Sequence, residues 1–180
     1  MQRISVVGIS GAGKTTVGSA IATALNLPFI ELDSIHNQPG WAELPADEFQ
    51  ERLRPIVAGK SWVIDGNYTS KGVLDLVWQR ADTVVWLDVA RSEVMRRVIA
   101  RTVRRAITRE ELWNGNREPL NNFFDPRPEK NIIVWTWTRF RHTREKYEQK
   151  SIDPRWSHLD IIRLRTPAEV DTFLSDLRSG

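Results

Sequence analysis

The chain of 180 residues contains no cysteine, which excludes both a disulfide framework and a metal site built from thiolates. Long apolar runs are also missing, and no stretch approaches the roughly 20 apolar residues that a membrane-spanning helix needs. The amino-terminal residues 1–8 hold one arginine and an apolar run that is too short for a secretory signal. We therefore expect a cytoplasmic protein that does not enter a membrane.

Internal repeats and low-complexity tracts are absent as well. The length is that of one domain of about 100–200 residues, so we expect a single domain over residues 1–180. Charge is unevenly spread: residues 91–150 hold 15 lysines and arginines against 8 acidic residues, whereas residues 1–90 hold 7 against 10. A basic segment of this kind indicates an anionic partner, although a solvated face on a long helix would give the same pattern.

Short apolar runs alternate with amphipathic segments along the chain. The apolar runs predict strands at residues 3–8, 28–32, 61–65, 83–88 and 159–164. Helices are predicted at residues 14–25, 46–58, 91–105 and 130–149, and a last helix begins at a capping box, Thr166-Pro167-Ala168-Glu169. Strands that alternate with helices form a parallel sheet covered on both faces, so an α/β fold with three α/β/α layers is expected. Residues 113–128, with three prolines, are predicted to be a mobile excursion.

The first predicted strand runs into the sequence Gly8-Ile9-Ser10-Gly11-Ala12-Gly13-Lys14-Thr15, which fits the phosphate-loop pattern G-x-x-x-x-G-K-[ST] at every fixed position. Glycines let the backbone curl so that its N–H groups converge on phosphate oxygens, and the following helix adds the positive end of its dipole. Lys14 is expected to reach the β- and γ-phosphates, and the Thr15 hydroxyl to ligate Mg²⁺. The predicted nucleotide-binding residues of this loop are Ser10, Gly11, Ala12, Gly13, Lys14, Thr15 and Thr16.

Three aspartates end predicted strands or follow them directly. Asp33 follows the second strand, where it would orient or deprotonate an acceptor hydroxyl or hold a magnesium-bound water; a helix N-cap is the structural alternative. Asp65 ends the third strand beside the phosphate loop, so we predict that it holds magnesium through a bound water, or else forms a turn with Gly66. Asp88 ends the fourth strand, and for it we predict a capping role.

The chain contains no Asn-Lys-x-Asp stretch of the kind that reads guanine, which argues against a switch GTPase. Its phosphate loop and several further strings resemble the superfamily of nucleoside-monophosphate kinases and shikimate kinases, and within it the adenylate-kinase-related DNA topology modulation (FlaR-type) proteins. This resemblance runs over nearly the whole chain. Besides the loop, it is carried by Leu32-Asp33-Ser34-Ile35-His36, Val63-Ile64-Asp65-Gly66-Asn67-Tyr68, the helix at 91–105 and Leu112-Trp113-Asn114-Gly115-Asn116-Arg117-Glu118.

The resemblance implies a P-loop NTPase fold with a five-stranded parallel sheet, an acceptor-binding insertion at about residues 33–60 and a helical, basic lid at about 101–145. In such kinases, arginines at the start of the lid stabilise the transferring phosphoryl group, a role that falls here to Arg101 and Arg105. Arg165 follows the last strand and resembles the loop that flanks adenine. The residues expected to bind the acceptor are Asp33, His36, Trp41, Asn67, Tyr68 and Arg139.

One departure from the adenylate kinases concerns the acceptor. Those enzymes tend to follow the Asp-Gly of the third strand with an aromatic residue, proline and arginine, and that arginine holds the acceptor's phosphate. Here Asp65-Gly66 is followed by Asn67-Tyr68-Thr69. A neutral or hydroxyl-bearing acceptor therefore fits better than AMP.

Two hypotheses about function follow. In the first, the chain is an enzyme that transfers the γ-phosphate of ATP, bound with Mg²⁺, to a small-molecule or nucleotide acceptor. The catalytic residues predicted for this enzyme are Lys14, Asp33, Arg101 and Arg105. In the alternative, the chain is an ATP-binding regulatory protein that contacts nucleic acid through the basic segment 91–150, and it would then show salt-dependent retention on DNA.

Overall fold

The computed structural model describes residues 1–69, 71–117, 127–128 and 130–179. In chain order its strands are β1 Arg3–Gly8, β2 Phe29–Glu31, β3 Asn37–Gln38, β4 Ala42–Glu43, β5 Trp62–Asp65, β6 Thr83–Leu87 and β7 Asp160–Leu164. Five of them form one parallel sheet in the order β2-β5-β1-β6-β7, while β3 and β4 pair as a small antiparallel hairpin. The predicted five-stranded parallel sheet is confirmed.

Helices connect these strands. In chain order they are α1 Lys14–Leu25, α2 Leu32–His36, α3 Ala46–Val57, α4 Val73–Trp78, α5 Arg91–Thr108, α6 Ile132–Ser151 and α7 Pro167–Ser179. Short 3-10 turns lie at Pro39–Trp41, Trp113–Gly115 and Pro154–Trp156. Within the described ranges, no helix combines the length and the apolar character needed to cross a membrane.

Two apolar cores lie on opposite faces of the sheet. Successive residues of β6 alternate between them, with Val84 and Trp86 in one core and Val85 and Leu87 in the other, as the pleat of a strand requires. Helices α3 and α4 cover the first core, and α1, α5 and α7 cover the second. The α/β/α layering predicted from the alternation of strands and helices is therefore confirmed.

Helix α6 serves both cores. Near its start, Ile132 and Trp135 pack against the second core, whereas Tyr147, in its last quarter, is 1% exposed within the first. Asn131 caps the start of the helix: its side-chain oxygen accepts hydrogen bonds from the N–H groups of the second and third helical residues. Helix α6 thus reaches from one side of the sheet to the other, and its first turn comes close to the phosphate loop.

Asp88 does not cap α5, which corrects the expectation for this residue. The N-cap of α5 is Ala90. The Asp88 side chain is 4% exposed, and its Oδ2 accepts hydrogen bonds from Arg163 at 2.9 and 2.6 Å, with Arg144 at 3.2 Å. A buried carboxylate destabilises the fold unless it is paired with a positive charge. Asp88 therefore forms ion pairs with Arg163 of β7 and Arg144 of α6 in place of capping a helix.

The last helix starts where the capping box predicts. Thr166 Oγ1 accepts a hydrogen bond from the N–H of Glu169 at 3.2 Å. The Glu169 carboxylate accepts a hydrogen bond from the N–H of Arg165 at 2.8 Å. In the usual capping box the donor is the N–H of the N-cap residue, which here is Thr166. Reciprocal bonds of this kind satisfy N–H groups that a helix start leaves unpaired.

Much of the predicted lid at 101–145 is helical, since α5 continues to Thr108 and α6 begins at Ile132. The excursion predicted at 113–128 falls partly on residues 118–126, which lie outside the described residues. Its first part, 113–117, is a turn that donates hydrogen bonds to carbonyl oxygens of α2 and of the strand after it. The mobility of this part stays a prediction.

Candidate active site

The phosphate loop lies between β1 and α1 and presses against α5. Gly11 and Gly13 have φ angles of +84° and +99°, in the left-handed region that favours glycine. A Cβ atom added to Gly11 would lie 2.4 Å from Cγ2 of Val98 and 3.0 Å from the carbonyl oxygen of Val94. The backbone of the loop therefore contacts α5 directly, with no room for a side chain between them.

The first residues of α1 follow the loop immediately. Lys14 Nζ donates to the carbonyl oxygen of Ile9 at 3.4 Å, a long contact that a phosphate oxygen would replace readily. Thr15 and Thr16 are exposed. The Thr15 hydroxyl donates to Oδ2 of Asp65 at 2.7 Å, which brings two predicted magnesium residues into direct contact.

Asp65 ends β5 and is only 6% exposed. Burial raises the pKa of its carboxyl group, against which the Lys14 charge and the Thr15 hydrogen bond act, while the Asp33 charge adds to the rise. Its Oδ1 has no hydrogen-bond partner among the residues that the structure describes. A carboxylate beside a hydroxyl suits Mg²⁺, which takes oxygen ligands and usually keeps several waters. Thr15 and Asp65 would hold the ion, which would neutralise charge on a bound triphosphate.

Two arginines of α5 contact the phosphate loop from the side opposite α1. Arg97 Nη1 donates to the carbonyl oxygen of Ala12 at 3.1 Å. One turn later, Arg101 Nη2 donates to Oγ of Ser10 at 3.0 Å. Both guanidinium groups thus lie against the loop where phosphate oxygens would bind. Arg101 was predicted for this place, and Arg97 was not among the predicted site residues.

Arg105 lies one further turn along α5, near Glu31 at the end of β2. Burial raises the pKa of the Glu31 carboxyl group, and the charge of Asp65 adds to that rise. The hydrogen bond from the Trp113 indole and the charge of Arg105 act in the opposite direction. Arg105 is therefore close enough to the carboxyl ends of the strands to stabilise negative charge there.

A cavity of about 540 Å³ opens beside the phosphate loop. It is bounded by the loop, by the segment from α2 to β4, by the residues after β5 and by the start of α6. The predicted site residues that line it are Ser10, Lys14, Asp33, His36, Asn67 and Tyr68. Lys14 and Asp33 thus share one cavity, which we call the acceptor cavity.

The Asp33 side chain is fixed by Tyr68. The Tyr68 hydroxyl donates to Oδ1 of Asp33 at 2.5 Å. Burial, together with the nearby charge of Asp33, raises the pKa of the phenol above its usual value, so the group remains a donor. The N-cap of α2 is Glu31, which leaves the Asp33 carboxylate to Tyr68 and to the cavity.

His36 is 3% exposed and lies between aromatic rings. It stacks on Phe49, with ring centroids 5.0 Å apart, and meets Tyr68 edge-on at 4.6 Å. Its Nε2 is 3.3 Å from the carboxylate of Glu43 and 3.4 Å from Nζ of Lys71. Burial lowers the pKa of His36 and the Lys71 charge acts in the same direction, whereas Glu43 raises it. A neutral imidazole at pH 7 follows.

Asn67 lies on the cavity wall, yet its carboxamide is used by the protein itself. Its Nδ2 donates to the carbonyl oxygen of Gly8 in a short hydrogen bond. Its Oδ1 accepts from the N–H of Gly8 at 3.3 Å and from the hydroxyl of Tyr147 at 2.7 Å. Asn67 therefore holds the first residue of the phosphate loop, which is a different use from the acceptor contact that the sequence predicts.

Three further predicted residues do not line the acceptor cavity. Trp41 lies beyond it, where its indole N–H donates to the carbonyl oxygen of Arg117 at 2.9 Å. Arg139 is exposed on α6, and Arg165 is exposed after β7. The structure does not bring these side chains together with Lys14 and Asp33.

Three charged residues line the acceptor cavity without having been predicted: Glu43, Lys71 and Lys130. Lys71 Nζ donates to the Glu43 carboxylate at 3.1 Å and to the carbonyl oxygen of Leu44 at 2.9 Å. Glu43 belongs to β4 and Lys71 precedes α4, so folding joins positions that are far apart in sequence. No local motif marks them.

The charge of the basic segment is partly balanced by its own acidic residues. Arg104 pairs with Glu110 at 2.9 Å, and Arg141 pairs with Glu145 at 2.7 Å. The side chain of Arg141 is 90% exposed. Pairs of this kind are typical of a solvated surface. They favour a solvated helix face, rather than an anionic partner, as the explanation for the basic charge of residues 91–150.

Comparisons with known proteins agree with this geometry. A family model described as shikimate kinase matches residues 10–52, a stretch that includes most of the phosphate loop and Asp33. The shikimate kinase of Synechococcus sp. (strain RCC307) is 32% identical over 107 residues, which are 53% of this chain and 55% of that protein. The chain thus spans about half the length of the curated relatives it matches.

Solved structures match over almost the whole chain. Shikimate kinase from Acinetobacter baumannii, solved in complex with shikimate, has a TM-score of 0.56 and 20% identity, covering 99% of this chain and 92% of that one. A gluconokinase from Sinorhizobium meliloti 1021 has a TM-score of 0.51 and 18% identity, covering 99% and 94%. Likeness at this level of identity shows the fold. With its phosphate loop and five-stranded parallel sheet, the chain shares the fold of these kinases.

Proposed function

We propose that this chain is an ATP-dependent kinase that phosphorylates a hydroxyl group of a small molecule. The observation that carries the proposal is that Lys14 and Asp33 line one cavity beside the phosphate loop. A cation for the triphosphate and a carboxylate for the acceptor therefore face the same space. The narrower likeness to DNA topology modulation proteins stays a prediction.

The side chains divide the reaction between them. Asp33 accepts the proton of the acceptor hydroxyl as that oxygen bonds to the γ-phosphorus, and the bond from phosphorus to the β–γ bridging oxygen breaks to leave ADP. Lys14 and Arg101 stabilise the charge on the transferring group, because this chemistry depends mainly on positioning and electrostatics. Thr15 and Asp65 would hold the magnesium ion that accompanies the triphosphate.

The charges of the acceptor cavity favour a neutral acceptor with several hydroxyl groups. Lys71 is already paired with Glu43 at 3.1 Å, so neither presents a strong unbalanced charge. Asp33 and Glu43 accept hydrogen bonds from hydroxyl groups, and once Lys14 serves the triphosphate their two charges are balanced by those of Lys71 and Lys130 on the same cavity wall. The relatives include proteins named for shikimate and for gluconate, and both compounds carry hydroxyl groups beside a carboxylate. They belong in the test as anionic comparisons.

The test is ADP release measured with Mg-ATP and a panel of acceptors. The panel contains sugars, polyols, small alcohols, nucleosides, AMP, shikimate and gluconate, and mass spectrometry identifies any phosphorylated product. We expect a hydroxyl compound to raise ADP release well above the rate with water alone. A panel in which no compound does so, together with no uptake of Mg-ATP in calorimetry, contradicts the proposal.

The matched variants are Asp33→Asn and Asp171→Asn. Asp33→Asn removes the proton acceptor and is expected to lower kcat by about 100-fold or more, within the range typical of general bases. Binding of Mg-AMP-PNP, a non-hydrolysable ATP analogue, should change less than about two-fold, because the Asp33 carboxylate is held by Tyr68 and, among the described residues, no hydrogen bond joins it to the phosphate loop. Asp171 is an exposed carboxylate on α7, and its variant should keep full activity.

A further inference from the structure

Trp41 has a backbone conformation that bulky side chains rarely adopt. Its φ angle is +60°, directly after Gly40 at +73°. Such conformations persist where surrounding contacts impose them, and they occur often at functional segments. Two contacts hold Trp41: its N–H donates to Oδ1 of Asn116 at 2.9 Å, and its indole N–H donates to the carbonyl oxygen of Arg117 at 2.9 Å.

Asn116 makes further bonds to the same segment. It is 3% exposed, and its Nδ2 donates to the carbonyl oxygens of Gln38 and Trp113, each at 2.9 Å. The bond to Trp113 closes its own turn, while the bonds to Gln38 and Trp41 join that turn to the other segment. All polar atoms of this buried side chain are therefore used, and they bind main-chain groups on both sides.

Asn114 adds a second attachment two residues earlier. Its Nδ2 donates to the carbonyl oxygens of Ser34 at 3.0 Å and Asn37 at 2.6 Å. We call residues 112–117 the docking turn and residues 34–41 the acceptor segment. The docking turn thus binds the main chain of the acceptor segment at several points.

The docking turn is also joined to the phosphate loop, through α5. Val98 of α5 occupies the space next to Gly11, and Arg101 donates to Ser10. Three residues, 109–111, separate the end of α5 from the docking turn, and Arg104 pairs with Glu110 across that junction at 2.9 Å. A continuous series of contacts therefore connects the phosphate loop, through α5, to the acceptor segment, which carries His36.

We propose that the docking turn couples nucleotide binding to the acceptor site, with Asn114 and Asn116 as positioning residues. This inference rests on the proposed function and deepens it. A nucleotide in the phosphate loop fixes α5, and the docking turn then holds the acceptor segment against the acceptor cavity. By linkage, an acceptor and a nucleotide raise each other's affinity by the same factor.

Hydrogen exchange with Mg-AMP-PNP as the probe tests the coupling without any knowledge of the acceptor. In the native chain, saturating Mg-AMP-PNP should slow exchange in peptides covering the phosphate loop and α5. It should also slow exchange about three-fold or more in peptides covering 36–44 and 109–117, because the Trp41 N–H donates its hydrogen bond to Asn116 of the docking turn. In Asn116→Leu, the slowing should persist in the loop and α5 and be lost at 36–44.

Two further variants distinguish a loss of coupling from a general loss of stability. Asn114→Gly keeps the left-handed backbone of this position, whose φ angle is +59°, and removes only the two bonds to the acceptor segment. Asp82→Ala is the control for lost stability. Asp82 accepts hydrogen bonds from the N–H groups of Gln2 and Arg3, at the amino ends of β1 and β6 rather than at their carboxyl ends. Asn114→Gly should weaken the response at 36–44, and Asp82→Ala should leave it intact.

The outcomes separate this inference from the proposed function. If the native chain binds no Mg-AMP-PNP, the proposed function is wrong and the inference is wrong with it. If Mg-AMP-PNP binds and slows exchange only in the phosphate loop and α5, the coupling alone is wrong. Once the panel yields an acceptor, Asn116→Leu should raise its KM about ten-fold or more, with the Kd of Mg-AMP-PNP changed less than about two-fold. An unchanged KM also contradicts the coupling.

Discussion

Tyr68 and Asp33 are joined by a 2.5 Å hydrogen bond from phenol to carboxylate, although 35 positions separate them in the chain. The Tyr68 ring is itself held by edge-on contacts with His36 and Phe49, at centroid distances of 4.6 and 5.0 Å. A carboxylate that must meet an acceptor hydroxyl benefits from such a fixed orientation. The aromatic cluster behind the acceptor cavity thus positions a reactive group as well as filling space.

Tyr68→Phe should therefore lower kcat by about ten-fold, since a misplaced general base loses part of its contribution. Its effect should vanish in an Asp33→Asn background, because the phenol acts only through the carboxylate. A double-mutant cycle on kcat measures this coupling. Equal and independent losses in the two backgrounds would show that Tyr68 contributes in some other way.

Lys14→Met should abolish most nucleotide binding. The ammonium group is the cation that follows the loop glycines directly, and its loss leaves the terminal phosphates without their main point charge. We expect the Kd of Mg-AMP-PNP to rise by about ten-fold or more in calorimetry and kcat to fall further. Lys60→Met is the control, since Lys60 is exposed before β5. Equal binding by both variants would contradict the role given to Lys14.

Asp88→Asn should destabilise the fold strongly. The change removes a carboxylate that is 4% exposed and paired with Arg163 and Arg144, and it leaves both arginines with Glu148 as their remaining acidic partner. The expected loss in the free energy of unfolding is about 2–4 kcal/mol, measured by urea denaturation. Glu145→Gln breaks the exposed pair with Arg141 and should cost less than about 0.5 kcal/mol. Similar losses in the two variants would contradict this account.

Lys146 should make stability rise with pH in the alkaline range. Burial, with the Lys150 charge adding to it, lowers the pKa of Lys146 from 10.5 to about 8. Between these values the unfolded chain binds more protons than the folded one, so the free energy of unfolding increases as pH rises from about 8 to 10.5. The ammonium is partly exposed and donates to Thr69, so we expect a gain of only about 1 kcal/mol.

Lys146→Met supplies the comparison for that prediction. Other groups that titrate in this range do so in both proteins, so the difference in unfolding free energy between native and variant isolates Lys146. That difference should move in favour of the native protein between pH 8 and 10.5, as followed by urea denaturation. A difference that stays constant with pH would contradict the lowered pKa.

The strands and the phosphate loop could be predicted because each depends on a local pattern. Residues 61–65 and 83–88 are apolar runs of the length of a buried strand, and the structure places β5 at Trp62–Asp65 and β6 at Thr83–Leu87. The loop needs glycine at fixed positions, which a single sequence displays. The β3–β4 hairpin and the helix α4 were not predicted, because strands of two residues contain no apolar run and a helix of six residues is too short to show a helical periodicity.

The wall of the acceptor cavity could be predicted only in part, because tertiary contacts assemble it. Asp33, His36 and Tyr68 were predicted from strings that resemble known kinases. Glu43 and Lys71 meet through the hairpin and the approach to α4, and no spacing rule joins them. The docking turn was expected to be mobile from its proline-rich surroundings. The bonds that hold its two asparagines come from a segment about 75 residues earlier in the chain.

The three bonds of Asn67 limit how the acceptor cavity can be redesigned. One carboxamide satisfies both main-chain groups of Gly8 and the phenol of Tyr147, so replacing it would loosen the nucleotide site and the interior of the protein at once. An engineer who wants a different substrate must therefore leave this position unchanged. Glu43 and Lys71 are the positions to vary, because they face the same space and contact each other, His36 and the carbonyl oxygen of Leu44 at the cavity wall.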